Sequence, residues 1–134
     1  MQRGSRHGLS LKNEYRLDSK FREYELIYFC LQYPEWKRKV ANYDICNRQD
    51  EWADPTGEIA VEHMLCKEKI KLVEETVKKA VGKEELYEYI LKGVTEDVGF
   101  TYLHSKLGMP CGHGKYYQIY HKFFYLLSQE KHSL

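Results

Sequence analysis

Between the turn Asp54-Pro55-Thr56-Gly57 and Gly82 runs an uninterrupted segment, Glu58 to Val81, whose apolar residues recur at three- and four-residue steps. Ile59, His63, Cys66, Ile70, Val73, Val77 and Ala80 form one stripe, and Val61, Leu65 and Leu72 widen it. That spacing is one face of an α-helix, and a helix of this length extends about 36 Å. The opposite face is Glu and Lys, which adds same-helix ion pairs worth only about 0.2–0.5 kcal/mol each. Gly82 stands where a left-handed residue ends a helix. So long a stripe has to be covered. A chain of 134 residues holds one core of ordinary size, so one compact domain is expected.

The flanking segments also read as helices. One is expected to begin near Leu17–Ser19, with Phe21, Tyr24, Tyr28 and Leu31 at helical spacing. The run Leu26 to Leu31 is apolar nearly all round, which predicts a central place in the core. Pro34 ends this helix or opens the next, because it lacks the N–H that a helix interior requires. Trp36, Val40 and Tyr43 continue a short helical face, and residues 44–57 are loop by composition. A short helix, Lys83 to Lys92, should bury Leu86 and Ile90, with Val94 beside them, before a turn at Thr95–Gly99. No segment alternates with period two for long enough to be a strand. The expected fold is all-α, a helical bundle of five or six helices. Residues 1–12 read as a flexible basic arm, 13–57 as N-terminal helices and a loop, and 58–134 as the long helix plus a C-terminal unit. Residues 13–134 form one compact domain in this reading. The expected core includes Phe29, Leu31, Ile70, Val73, Leu103, Leu107, Phe123 and Leu127.

Composition excludes several classes of function. Hydrophobic residues are 43% and charged residues 31%, enough for a core and too apolar for wholesale disorder. The net charge of +1 rules out a protein that coats polyanions indiscriminately. No apolar run approaches the roughly 18 residues that span a bilayer. The first residues carry Arg3 and Arg6 but no apolar stretch, so no secretory signal is expected and the expected location is cytoplasmic. Cys30, Cys46, Cys66 and Cys111 include no CxxC pair, which favours reduced thiols, with Cys30 and Cys66 as small core residues. A zinc set of His63, Cys66, Cys111 and His113 fits ligand spacing poorly, so neither metal nor cofactor is expected. There is no Gly-rich phosphate loop, HExxH or GxSxG, so the chain is not expected to be an enzyme. Glu74-Glu75 and Glu84-Glu85 are adjacent carboxylates, which point apart on a helix. Trp52 lies in the polar loop, and its role stays open.

Charge is distributed unevenly. Residues 1–49 hold 10 Lys/Arg and 6 Asp/Glu, residues 50–97 hold 7 and 13, and residues 98–134 hold 4 and 1. An acid-poor segment is what a phosphate-facing surface requires. Within it, Phe100 to Pro110 reads as a short helix ending at Gly108, with Leu103 and Leu107 on its buried face and Met109 packing back. Changing Leu107 to Asp should then unfold this unit. Lys115 to Gln129 reads as a second helix, with Tyr116, Tyr120, Phe123 and Leu127 on its apolar face. Leu-x-x-x-Leu-Gly-Met before such a helix is the pattern of a helix-turn-helix unit, in which the first helix braces the second against a major groove. Lys115 and Gln118 are the candidates for base contacts. His121 and Lys122 are the candidates for phosphate contacts, and His113 is a backbone contact just before the helix. An ordinary helical hairpin with Gly112-His113-Gly114 as a plain loop fits the same residues.

A family resemblance points the same way. Gly93-Val94-Thr95, Leu107-Gly108-Met109-Pro110-Cys111, Tyr116-Tyr117 and Lys122-Phe123-Phe124-Tyr125-Leu126-Leu127-Ser128 resemble the C-terminal domain of small prophage-encoded proteins of low-GC Gram-positive bacteria. Those proteins in turn resemble region four of RNA-polymerase sigma factors. Tyr28-Phe29-Cys30-Leu31-Gln32-Tyr33-Pro34-Glu35-Trp36-Lys37 and Asp54-Pro55-Thr56-Gly57 extend the resemblance over most of 26–128. It implies a sigma region-four-like helix-turn-helix unit in a transcriptional regulator of a prophage or mobile element that binds specific double-stranded DNA. The family's second helix carries several arginines where this chain has Lys115, His121 and Lys122. RNA polymerase and a second copy, paired through the long helix, are further expected partners. The alternatives are a helical adaptor for RNA polymerase or another protein, and a small terminase-like packaging subunit.

Overall fold

The computed structural model describes residues 15–49 and 57–133. The expected arm at 1–12 and Trp52 lie outside the described residues. Five α-helices account for most of the described chain, and no strand occurs among the described residues: α1 Lys20–Cys30, α2 Tyr33–Gln49, α3 Glu58–Val81, α4 Tyr87–Thr95 and α5 His113–Ser133. A 3-10 turn, Glu84–Leu86, precedes α4, and a π turn, Tyr102–Lys106, precedes α5.

The long helix has the bounds its periodicity predicts, between Gly57 at φ +86° and Gly82 at φ +70°. Its buried residues are Cys66, Val73, Thr76, Val77, Ala80 and Val81. Thr76 returns its hydroxyl to the Leu72 carbonyl at 2.7 Å, which satisfies it inside the apolar layer. α2 lies along one side of α3, and α4 and α5 pack against α3 as well. α1 rests on α5 and α4. The core they enclose includes Leu26, Val73, Val77, Ile90, Leu103, Phe123 and Leu127. Phe29, Leu31 and Ile70, expected in that core, are half-buried at its margin.

Three expectations are corrected. First, the aromatic stripe of α1 faces outward: Phe21, Tyr24 and Tyr28 are exposed, and Leu26 and Cys30 make the buried contact. The helix is apolar on more faces than the core can receive, and the compact pair four residues apart takes the inner one. Ser19 caps it, its hydroxyl accepting the Arg22 N–H at 3.2 Å. Second, the loop expected from residue 44 begins later, because α2 continues to Gln49. Asp44 accepts from His63 across to α3 at 3.1 Å, and Tyr43 stacks on the same imidazole with ring centroids 4.1 Å apart. Asp44 and Ile45, the first residues of that expected loop, are exposed on the helix.

Third, the short helix before α5 is wound wide. Leu107 N–H reaches the Tyr102 carbonyl at 3.3 Å, five residues back, and Met109 N–H reaches Leu103 at 3.0 Å, six back. The wider turn shifts the angular register of the residues after it. Leu103 is buried, but Leu107 is 36% exposed rather than in the core. An aspartate at 107 can stay solvated, so Leu107→Asp is not expected to unfold the unit. The short helix predicted over Lys83–Lys92 is likewise a 3-10 turn followed by α4, though Leu86, Ile90 and Val94 are buried as expected.

Candidate nucleic-acid interface

The start of α5 is held from beneath by an aromatic cluster. Phe100 stacks on His104 with centroids 5.1 Å apart, meets His113 edge-on at 5.3 Å and lies 5.8 Å from Tyr116. Gly108, at φ +77°, reverses the chain, and its N–H donates to the His104 carbonyl at 3.2 Å. Met109 is buried behind the turn. The first turn of α5 then closes with Tyr116 N–H on the Gly112 carbonyl at 3.0 Å.

Tyr116 is the anchor. It is 1% exposed, and burial first, then Tyr120, Tyr117 and Cys111, pushes its phenol well above the usual tyrosine range. α4 passes close over it. A Cβ at Gly93 would stand 2.5 Å from Tyr116 Oη and 3.1 Å from Leu103 Cδ1, so a glycine is required where α4 meets α5.

This anchoring decides where the predicted site residues go. Lys115 and Gln118 are exposed, and Lys122 is half-buried one turn further on. At spacings of three and four residues they share the side of α5 away from its core face. His113 is exposed at the helix start, its ring 4.7 Å from Tyr117. His121 takes a different direction. It is half-buried with its Nε2 inward, and it lines a small pocket of about 270 Å³ with Tyr15, Leu17, Lys20 and Glu23. The fold therefore brings Lys115, Gln118 and Lys122 together, sets His113 at their flank and turns the His121 Nε2 away.

The charge around this face is one-sided. The α5 sequence holds no carboxylate before Glu130, and none occurs from Val98 onward to that point. Glu23 and Asp97 are the acids felt near the helix, and both act on Tyr120, on the opposite side from Gln118. Burial raises the Glu23 carboxyl above its ordinary value. The Cys111 thiol is also raised by burial, while the Lys115 ammonium opposes that rise. Arg16, Lys20, Asp18 and Glu23 border the same pocket as His121, so the α1 entry brings cations and acids in equal number beside α5. Lys106 and His104 are exposed on the preceding turn.

No family model matches the chain, and no curated protein or solved structure is significantly similar to it. The α5 face is therefore weighed on its own geometry and charge. Among the described residues no helix is long and apolar enough to cross a membrane.

Proposed function

We propose that this chain is a sequence-specific duplex-DNA-binding regulator of a prophage or mobile element, and not an enzyme, with the outer face of α5 as its reading surface. One observation carries the proposal. Lys115, Gln118 and Lys122 project from one side of a helix whose opposite side is locked by Tyr116, Phe123 and Leu127, in a stretch free of carboxylates. A helix about 10–12 Å across with its side chains fits a major groove about 12 Å wide.

In this reading Gln118 and Lys115, nearest the helix start, reach base edges, where Gln pairs with adenine and Lys with guanine. Lys122 neutralises a phosphate, and His113 adds a backbone contact that strengthens as the imidazole protonates. His121, with Nε2 inward, contributes the least to direct contact. Few cations mean modest affinity with a shallow salt dependence.

The test is selection of a preferred duplex from a random pool, followed by titration of variants. Gln118→Ala should lose about 1–3 kcal/mol on that duplex and relax its sequence preference. Lys122→Ala should weaken all duplexes alike and flatten the salt slope by about one unit. A folded parent protein that selects no duplex would transfer the proposal to the adaptor reading. A ring of many subunits in solution would favour the packaging reading.

A further inference from the structure

Among the described residues, an apolar ridge on the first half of α3 is left uncovered. Val61, Met64 and Leu65 are 51%, 51% and 45% exposed. Grooves flank the ridge. One, of about 770 Å³, has Val40, Ala41, Met64 and Ile70 in its lining. The other, of about 480 Å³, has Phe29, Leu65 and Leu72. Half-exposed side chains of this size make a patch on the order of several hundred Å², the scale that marks an interaction surface. With their charged neighbours they approach the roughly 800 Å² per partner of a standard interface.

The order of charges along the ridge specifies the occupant. Before Met64 the helix carries Glu58 and Glu62; after Leu65 it carries Lys67, Glu68, Lys69 and Lys71. Acid therefore leads and base follows, with three of each between residues 58 and 71. A surface that meets its own copy about a twofold axis must be self-complementary. Antiparallel pairing centred between Met64 and Leu65 satisfies this. It sets Met64 of one copy against Met64 of the other and Leu65 against Leu65, with Lys69 of each copy on the edge that carries Glu58 and Glu62 of the other. Lys39 already bonds Glu62 at 3.0 Å within the chain, and a second cation there completes an alternating network.

We infer that a second copy of this chain docks on the Val61–Met64–Leu65 ridge, making a symmetric antiparallel α3–α3 dimer. Such a dimer does not require the DNA reading but sharpens it. The ion pair Lys79–Glu130 and the Lys131 ammonium over the Phe29 ring at 4.0 Å hold the end of α5 against the inner part of the molecule. Its start is packed on α4 through Tyr116 and Gly93. The Lys115–Gln118 face is therefore left free by the dimer, and each dimer presents two such faces. Ridges-into-grooves packing suits the two flanking channels.

Sedimentation velocity of the full chain across a concentration series tests this. The parent should be a dimer. Leu65→Glu should weaken dimerisation about thirtyfold or more while circular dichroism stays helical. Glu58→Lys and Lys69→Glu should each weaken it, and the double swap should restore it. That recovery is one that a purely structural role would not show. A parent that stays monomeric at high concentration, or a dimer indifferent to Leu65→Glu, overturns the inference. Failure of the double swap to recover overturns the antiparallel register. None of these readouts involves DNA, so the dimer and the regulator reading fail separately.

Discussion

The two halves of α3 share one stripe and have different fates. From Val73 to Val81 it is buried against the other helices, whereas Ile59 at its start is half in water, as are Val61, Met64 and Leu65 on the other side of the helix. The outer half buries Cys66 and is otherwise tied to α2 by polar contacts, Lys39–Glu62 and Asp44–His63, which are worth little at an exposed surface. The inner half is held by close packing. Periodicity identifies the face that a helix buries, but the extent of the core along it is set by which elements arrive to cover it.

Val77 and Ile59 lie on the same stripe, so a matched pair of truncations sharpens this contrast most. Val77→Ala should cost about 2 kcal/mol in urea unfolding, the scale for deleting buried carbons. Ile59→Ala, though it removes more atoms, should cost about 0.5 kcal/mol. The reverse order would break the division into inner and outer halves. Gly93→Ala probes the tightest contact of the inner region and should cost about 1–3 kcal/mol, because Tyr116 has no room to withdraw. Adding Tyr116→Phe should recover part of that loss, since the atom met at 2.5 Å is the phenol oxygen.

Glu23 gives the smallest effect, with a defined sign. Burial raises its carboxyl above 4.5, so the ionised form costs stability above that value and the cost disappears as the carboxyl protonates below it. Glu23→Gln should raise the melting temperature at neutral pH, and the gain should vanish in acid. A gain that grows in acid would reverse the assignment.

Much of the fold was legible in the sequence. The stripe and its two glycines gave both ends of α3, and Ser19 and Pro34 marked the starts of α1 and α2. The core side of α5 came from Tyr116, Phe123 and Leu127. The features that were not legible depend on tertiary competition. Phe21, Tyr24 and Tyr28 carry the larger apolar area of α1, yet Leu26 and Cys30 occupy the inner face because the neighbouring helices admit compact side chains there. Leu103 and Leu107 have identical spacing signals, and only the backbone winding separates them. In the candidate site, helical spacing accounts for the common side of α5 on which Lys115, Gln118 and Lys122 lie. The inward turn of His121 was not foreseeable, because it depends on the chain entering α1 across it.

The reading surface proposed on the outer face of α5 can be removed without touching the core. Its most direct test is fluorescence-anisotropy titration of labelled duplexes over a range of salt, comparing the parent with a Lys115→Ala, Gln118→Ala, Lys122→Ala triple variant shown by circular dichroism to be folded. The account predicts salt-dependent binding by the parent, and for the variant a large loss of affinity with a salt slope smaller by about two units, one for each lysine removed. Equal binding by parent and variant would contradict it.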